Sequence, residues 1–436
     1  MVAAVVLAAT SHAAADATVL DALLARTDVV AKEVAKIRGL PLKKAIPNEV
    51  VDKDELHRRL QALAAEDKTA AETVGEGLAL ARWGMIPIAT DYKALLVDLL
   101  TEQIAGYYDP ETKKLTISKS AGDDPAWAEM VLAHELDHGL QDQAFDLHTF
   151  EDLADTEDDA AVARRALVEG DGIALMIEVM LARRGAPAPW SDPSVAASIE
   201  KSMETPGNGD GLDKAPLAIR EAMIFPYRAG LTFVAALRRR GTWRAVDAAF
   251  ARPPKSTEQI IHPERYVAGD DPVPVQITAP AALPDYAIAH ATVWGELGFD
   301  LFLRSHGVDE ATAASAAEGW GGDRAVVLAR EDDKRPQRAV GVSRSEWDSE
   351  ADAIEAAEAL GKALDHEVVG TVMDHAQNRT RWLGLDGTVS WLERKGPSVV
   401  VVLGAPAWAA TALDAEVWTA SGVVPPAARP RPARSR

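Results

Sequence analysis

His134 and His138 stand four residues apart in the stretch WAEMVLAHELDHGLQDQ, and Glu135 directly follows the first histidine. On an α-helix, positions four apart share a face, about 40° from each other around the axis, so both imidazoles can reach one ion. Glu135 lies about 100° round from His134, beside such an ion and not on it. Two nitrogen ligands with a carboxylate alongside suit metal-assisted hydrolysis: the histidines hold the cation and the carboxylate takes a proton from water. Two incidental histidines are disfavoured by their setting. Trp127, Val131, His134, His138, Gln141 and Phe145 step by 4, 3, 4, 3 and 4, so both imidazoles face the core, where buried polar rings need strong partners.

A third ligand must come from elsewhere in the chain. A metzincin would need glycine at position 141 and histidine at position 144; Gln141 and Ala144 exclude that class. His148 is near in sequence but lies in the turn-like DLHTF. Glu169 is the better choice. Val162, Ala166, Glu169, Ile173, Met176 and Met180 form a second apolar stripe, in which Glu169 is the charged member. A buried carboxylate is costly unless an arginine or a metal pairs with it. Gly170 and Gly172 follow it in EGDG at about 1 kcal/mol each relative to alanine in a helix, a cost tolerated where another backbone must come close. Asp171, off the stripe, is the alternative ligand or a supporting partner. Asp137 carries no assigned role.

The elements that must present these residues are legible in outline. From about Leu20 to Gln103 the apolar spacing is helical. YYDPETKKLTISKS then changes to turn chemistry and alternation, predicting a hairpin or edge strand at KLTIS. Asp124 and Pro125 predict the N-cap and first position of a helix running to Phe145, and a second helix follows an acidic connector from about Ala160 to Arg184. LAIREAMIFPYRAGLTFVAALRRR is again helical, and VAGDDPVPVQITAPAALPD reads as a linker. Beyond it, RAVVLAR, QRAVGVSR and SVVVVLG predict strands and SEADAIEAAEALGKAL a helix, together a small α+β domain over 285–420. EGWGGDR lacks the lysine and following helix of a phosphate loop and predicts a tight turn into a strand. The Pro- and Arg-rich residues 421–436 predict a disordered tail.

Composition narrows the function classes. The 436 residues, 47% hydrophobic and 26% charged, are ordinary for a folded protein of one or two domains. A net charge of −21 argues against nucleic acid as a partner, and the absence of cysteine removes disulfides, thiolate zinc sites and cysteine nucleophiles. MVAAVVLAATSHAAAD resembles the end of a signal peptide over 1–15, with cleavage after Ala13 or Ala15, though basic residues are missing before its apolar run. That predicts a secreted or periplasmic protein. No other run approaches the ~20 apolar residues of a membrane span.

HELDH followed by ALVEGDG resembles the gluzincins, zinc metallopeptidases with an HExxH helix and a glutamate ligand on a later helix. EQIAGYYDPETKKL, HELDHGLQDQ, FPYRAGLTFV, PPKSTEQIIHPERY and GWGGDR are similar to segments of a group of bacterial HExxH proteins. The resemblance implies an α+β fold with a mainly helical, zincin-like catalytic domain over 16–268. It implies zinc (Zn2+) held by His134, His138 and Glu169, with Glu135 as general base in peptide-bond hydrolysis. KLTIS would lie above the zinc helix as an edge that pairs with an extended peptide or protein substrate. Tyr227 in FPYRAGLTFV is the first choice to stabilise the oxyanion, and His262 the second. The separation of His138 from Glu169 is longer than in thermolysin-like enzymes, and Ile173 stands where those have an aspartate. Two alternatives remain: hydrolysis of a non-peptide amide, or a catalytically silent binding or envelope-associated protein stabilised by zinc.

Overall fold

The computed structural model describes residues 3–6, 17–154, 156–192, 194, 198, 199, 201 and 211–424. The architecture is α+β and divides into two units, Met1–Gly77 with Met85–Asp270, and Leu78–Gly84 with Asp271–Arg436.

The first unit contains, in order, β1 (Ala3–Val6), α1 (Ala17–Leu24), α2 (Thr27–Arg38), β2 (Asn48–Val51), α3 (Lys53–Leu63), α4 (Asp67–Arg82, whose last turn belongs to the second unit), α5 (Tyr92–Gln103), β3 (Ile104–Asp109) and β4 (Lys114–Ser118). There follow α6 (Pro125–Phe145), α7 (Leu147–Glu151), α8 (Asp158–Arg183), α9 (Leu217–Arg240), α10 (Trp243–Ala251), α11 (Thr257–Ile261) and α12 (Pro263–Ala268). α6 begins as predicted: the Asp124 carboxylate accepts from the backbone N–H of Ala126 and Trp127 at 2.9 and 3.3 Å, with Pro125 at the first position. Asp158 and Asp159 open α8, where negative charge complements the helix dipole.

Both helices are more deeply enclosed than a single stripe implies. Residues 131–142 of α6 and 166–176 of α8 are buried on every side, the condition of central helices. α9 crosses α8 so closely that a β-carbon on Gly170 would overlap the Gly230 carbonyl, and one on Gly230 would overlap that of Ala166.

The sheet corrects one expectation. Its order is β1-β3-β4-β2, so KLTIS, now β4, forms the expected hairpin with β3 but is an interior strand and not an edge. β3 pairs antiparallel with it, Gly106 opposite Ile117, and β2 runs parallel on its other side, Asn48 opposite Leu115. The missed neighbour is Asn48–Val51, within the stretch expected to be helical. The Leu115 N–H donates to the Pro47 carbonyl at 2.9 Å, which starts that pairing. The acidic connector also differs, since it contains the short helix α7.

The second unit contains β5 (Val275–Ile277), β6 (Ala287–Thr292), α13 (Gly295–Ser305), α14 (Glu310–Glu318), β7 (Trp320–Ala329), β8 (Val340–Trp347), α15 (Glu350–Glu367), β9 (Gly370–Ala376), β10 (Arg379–Gly384), β11 (Thr388–Lys395), β12 (Ser398–Pro406), α16 (Ala407–Ala420) and β13 (Ser421–Val423). Seven strands form one antiparallel sheet in the order β6-β7-β8-β12-β11-β10-β9. The three strands and the helix expected here are present as β7, β8, β12 and α15. Val326, Val342, Val400 and Val402 pack with Leu413 and Val417 of α16. Trp83, from the Leu78–Gly84 segment, meets Trp294 edge-on at 4.9 Å and lies 6.1 Å from Phe302.

Two further expectations are corrected here. The linker contains β5, and residues 421–423, expected to be disordered, form β13 paired antiparallel with β5. Backbone pairing orders both short runs despite their weak patterning. Residues 425–436 and the cleavage positions Ala13 and Ala15 lie outside the described residues, whereas Ala3–Val6 runs antiparallel along β3. No helix among the described residues is long and apolar enough to cross a membrane.

Candidate metal centre

α6 and α8 bring His134, His138 and Glu169 to one point. The His134 Nε2 lies 2.9 Å from the His138 Nε2 and 3.1 Å from the Glu169 Oε2, and the His138 Nε2 is 3.4 Å from that oxygen. One ligand atom from each residue falls within 4.8 Å of the others, and all three side chains are fully buried. The imidazoles stand edge to face, ring centres 4.5 Å apart. Glu135 is equally buried on the same helix.

This group can hold a metal ion. Two imidazole nitrogens and a carboxylate oxygen of fully buried side chains converge, and the second oxygen of Glu169, Oε1, has no hydrogen-bond partner among the described residues. Such a mixed nitrogen and oxygen set suits a first-row divalent cation. Without a cation, burial opposes charge on His138, but the adjacent Glu169 carboxylate holds its pKa up at about 10. Burial likewise opposes charge on Glu169, yet the two histidines draw its pKa down to about 2. Burial and the charge of His138 push His134 downward. Without a cation, charges on His138 and on Glu169 thus favour each other inside the enclosed centre.

Several contacts fix these side chains. A β-carbon on Gly172 of α8 would stand 2.7 Å from Cε1 and 2.9 Å from Nδ1 of His134, so the imidazole occupies the space a side chain there would need. A β-carbon on Gly106 of β3 would stand 2.9 Å from Val131 Cγ1 and 3.3 Å from Glu135 Cγ, which places β3 directly against α6 at the carboxylate. His138 Nδ1 lies 2.9 Å from Gln141 Oε1. Gln141 Nε2 donates to Asp137 Oδ2 and to the Val168 carbonyl, each at 3.1 Å.

Asp171 is not in the ligand group. The buried Arg38 guanidinium holds it by two hydrogen bonds of 2.8 Å, from Nε and Nη2, and gives a third of the same length to Asp247. Arg38 also lies over the Trp243 ring at 4.5 Å. Burial, and next the charge of Asp171, push the Asp137 carboxyl well above its ordinary range although Arg38 opposes this. The arginine partner considered for Glu169 is therefore found on Asp171, two residues on.

The remaining candidates are placed as follows. Tyr227 is buried on α9, one turn before Gly230 and its crossing with α8. His262 is partly exposed, with Nδ1 3.7 Å from Glu264 Oε1. His148, on α7, is exposed and lies 3.8 Å from Glu111, outside the ligand group. Sequence reasoning missed Arg38, Asp247 and the contact of Gln141 with His138. Only the last had a signal, because Gln141 follows His138 by three positions and Asp137 by four on one helix.

Residues 286–414 match a family described as Domain of unknown function (DUF8575). No curated protein and no solved structure matches the chain. The matched span lies in the second unit, so the metal centre is outside it.

Proposed function

We propose that the first unit is a zinc-dependent peptidase of gluzincin type. His134, His138 and Glu169 hold zinc and Glu135 is the general base. The observation that carries this reading is the convergence of two imidazole nitrogens and one carboxylate oxygen from two central helices, with a second carboxylate on the helix that supplies the imidazoles.

Zinc held by His134, His138 and Glu169 would supply Lewis-acid chemistry there. Glu135 accepts the proton of the attacking water and returns it to the leaving amine. Glu169 would balance part of the cation's charge inside a buried site. Gly106 keeps β3 close to Glu135, so that an extended peptide taking the place of β1 on β3 would pass the base. Tyr227 is the proposed oxyanion donor. A peptide or protein is the proposed substrate, and the apolar N-terminal run supports export as a secreted or periplasmic protein.

One observation favours a second reading, a catalytically silent protein that keeps zinc for stability: all four side chains of the centre are fully buried. Metal analysis with a peptide-library digest of wild type and Glu135→Gln decides between them. Cleavage by wild type that the variant loses supports the peptidase. Bound zinc with no cleavage by either supports the silent reading, and cleavage that survives the substitution removes Glu135 from the mechanism.

A further inference from the structure

We infer that Gln141 is a positioning residue that sets the tautomer of His138 and ties it to the backbone beside Glu169, so that the two helices offer a preassembled ligand set. The inference rests on the metal reading above but does not require peptidase activity.

The Val168 carbonyl decides which way the Gln141 amide faces. A carbonyl oxygen only accepts, so the atom 3.1 Å from it must be the amide nitrogen, Nε2. Asp137 Oδ2, 3.1 Å away, receives the second N–H of the same nitrogen. Both hydrogens are thereby committed, and Oε1 is left facing His138 Nδ1 at 2.9 Å. An amide oxygen cannot donate, so Nδ1 must carry the proton. With a proton on Nδ1, neutral His138 presents a lone pair at Nε2, the atom that faces His134 and Glu169. The reversed amide would set oxygen against oxygen at the Val168 carbonyl and would leave the proton of neutral His138 on the metal-facing nitrogen.

The same contacts join the ligands across helices. Gln141 follows His138 on α6, and Val168 immediately precedes Glu169 on α8. Gln141 therefore fixes the spacing of His138 and Glu169 as well as the tautomer. Hydrogen bonds of this kind to a metal-ligating histidine typically alter metal affinity about 10- to 100-fold.

The test uses the full chain. Zinc affinity is measured by competition with a chromophoric chelator, and the cobalt(II)-substituted protein is followed by its visible spectrum. Gln141→Met keeps the length of the side chain but neither accepts from His138 nor donates to Val168. Its affinity should fall about 10- to 100-fold with an altered cobalt spectrum, while Asp137→Asn, which still offers Gln141 an acceptor, should stay close to wild type. Long-range proton–nitrogen NMR of histidine in the zinc-loaded wild type should show His138 protonated at Nδ1 and bound through Nε2, a readout that survives if the variants do not fold. Metal on Nδ1, or equal affinities and spectra for wild type and Gln141→Met, would overturn the inference. A wild type that takes up no metal would instead overturn the metal reading itself.

Discussion

Gly172 and His134 occupy one another's space: the imidazole sits where a side chain at 172 would begin, 2.7 Å from an ideal β-carbon. Gly172→Ala must therefore displace the ring or bend α8. A displaced imidazole opens the ligand triangle, and metal affinity should fall by about tenfold or more. Chelator competition measures it. Affinity equal to wild type would show that α8 yields without moving the imidazole.

Arg38 is the buried cation that answers Asp171 and Asp247. Removing one member of a buried ion pair leaves the other charged and unpaired, at about 3–5 kcal/mol. Arg38→Met should lower stability by that amount in urea denaturation, and Arg38→Met with Asp171→Leu should recover most of it. A single-variant loss below about 1 kcal/mol, the range of exposed pairs, would count against this account.

Metal removal should act through the ligands. A cation that binds only the folded chain stabilises by about 4 kcal/mol at a free concentration a thousandfold above Kd. A chelator should lower the Tm of zinc-loaded wild type by several degrees and leave Glu169→Ala unaffected. An equal shift in both would place the stabilising ion elsewhere.

In the second unit, burial raises the Asp323 pKa to about 6, although backbone N–H of Trp294 and Gly295 and the indole of Trp320 donate to it. A folded pKa above the unfolded one stabilises most below the unfolded value, near 4, and that stability is lost as pH rises through about 6. The difference is worth about 3 kcal/mol. Between pH 4 and 6 wild type should therefore lose stability relative to Asp323→Asn, read as converging urea midpoints. A difference that does not change with pH would contradict it.

Much of the centre was legible because helical spacing is a local property. Asp124 and Pro125 marked the start of α6, and the apolar stripes isolated His134, His138 and Glu169 without any knowledge of how α6 meets α8. What was not legible depends on distant partners. Nothing near Arg38 announces Asp171, which lies 133 residues away. Asn48–Val51 is too short for a period-2 signal to emerge between Pro47 and a capped helix, so β4 was read as a hairpin or edge strand without its parallel neighbour. Ser421–Val423 carries no pattern of its own and is ordered by pairing with β5. Gln141 was visible in sequence, but its role depends on the carbonyl of Val168, which only the packed helices bring near.

The strand Ala3–Val6 gives the N-terminal run a second meaning. Those residues lie in the run that resembles a signal peptide, and in the folded chain they cover the outer edge of β3, with a bulge between Ala4 and Val6 opposite the stretch that includes Gly106. Both states cannot hold at once. A chain that has lost residues 1–15 presents β3 as a bare ladder of N–H and C=O groups beside Glu135, ready for an extended guest. On the proposed export and peptidase readings, a chain without residues 1–15 is the form in which peptide turnover should be sought.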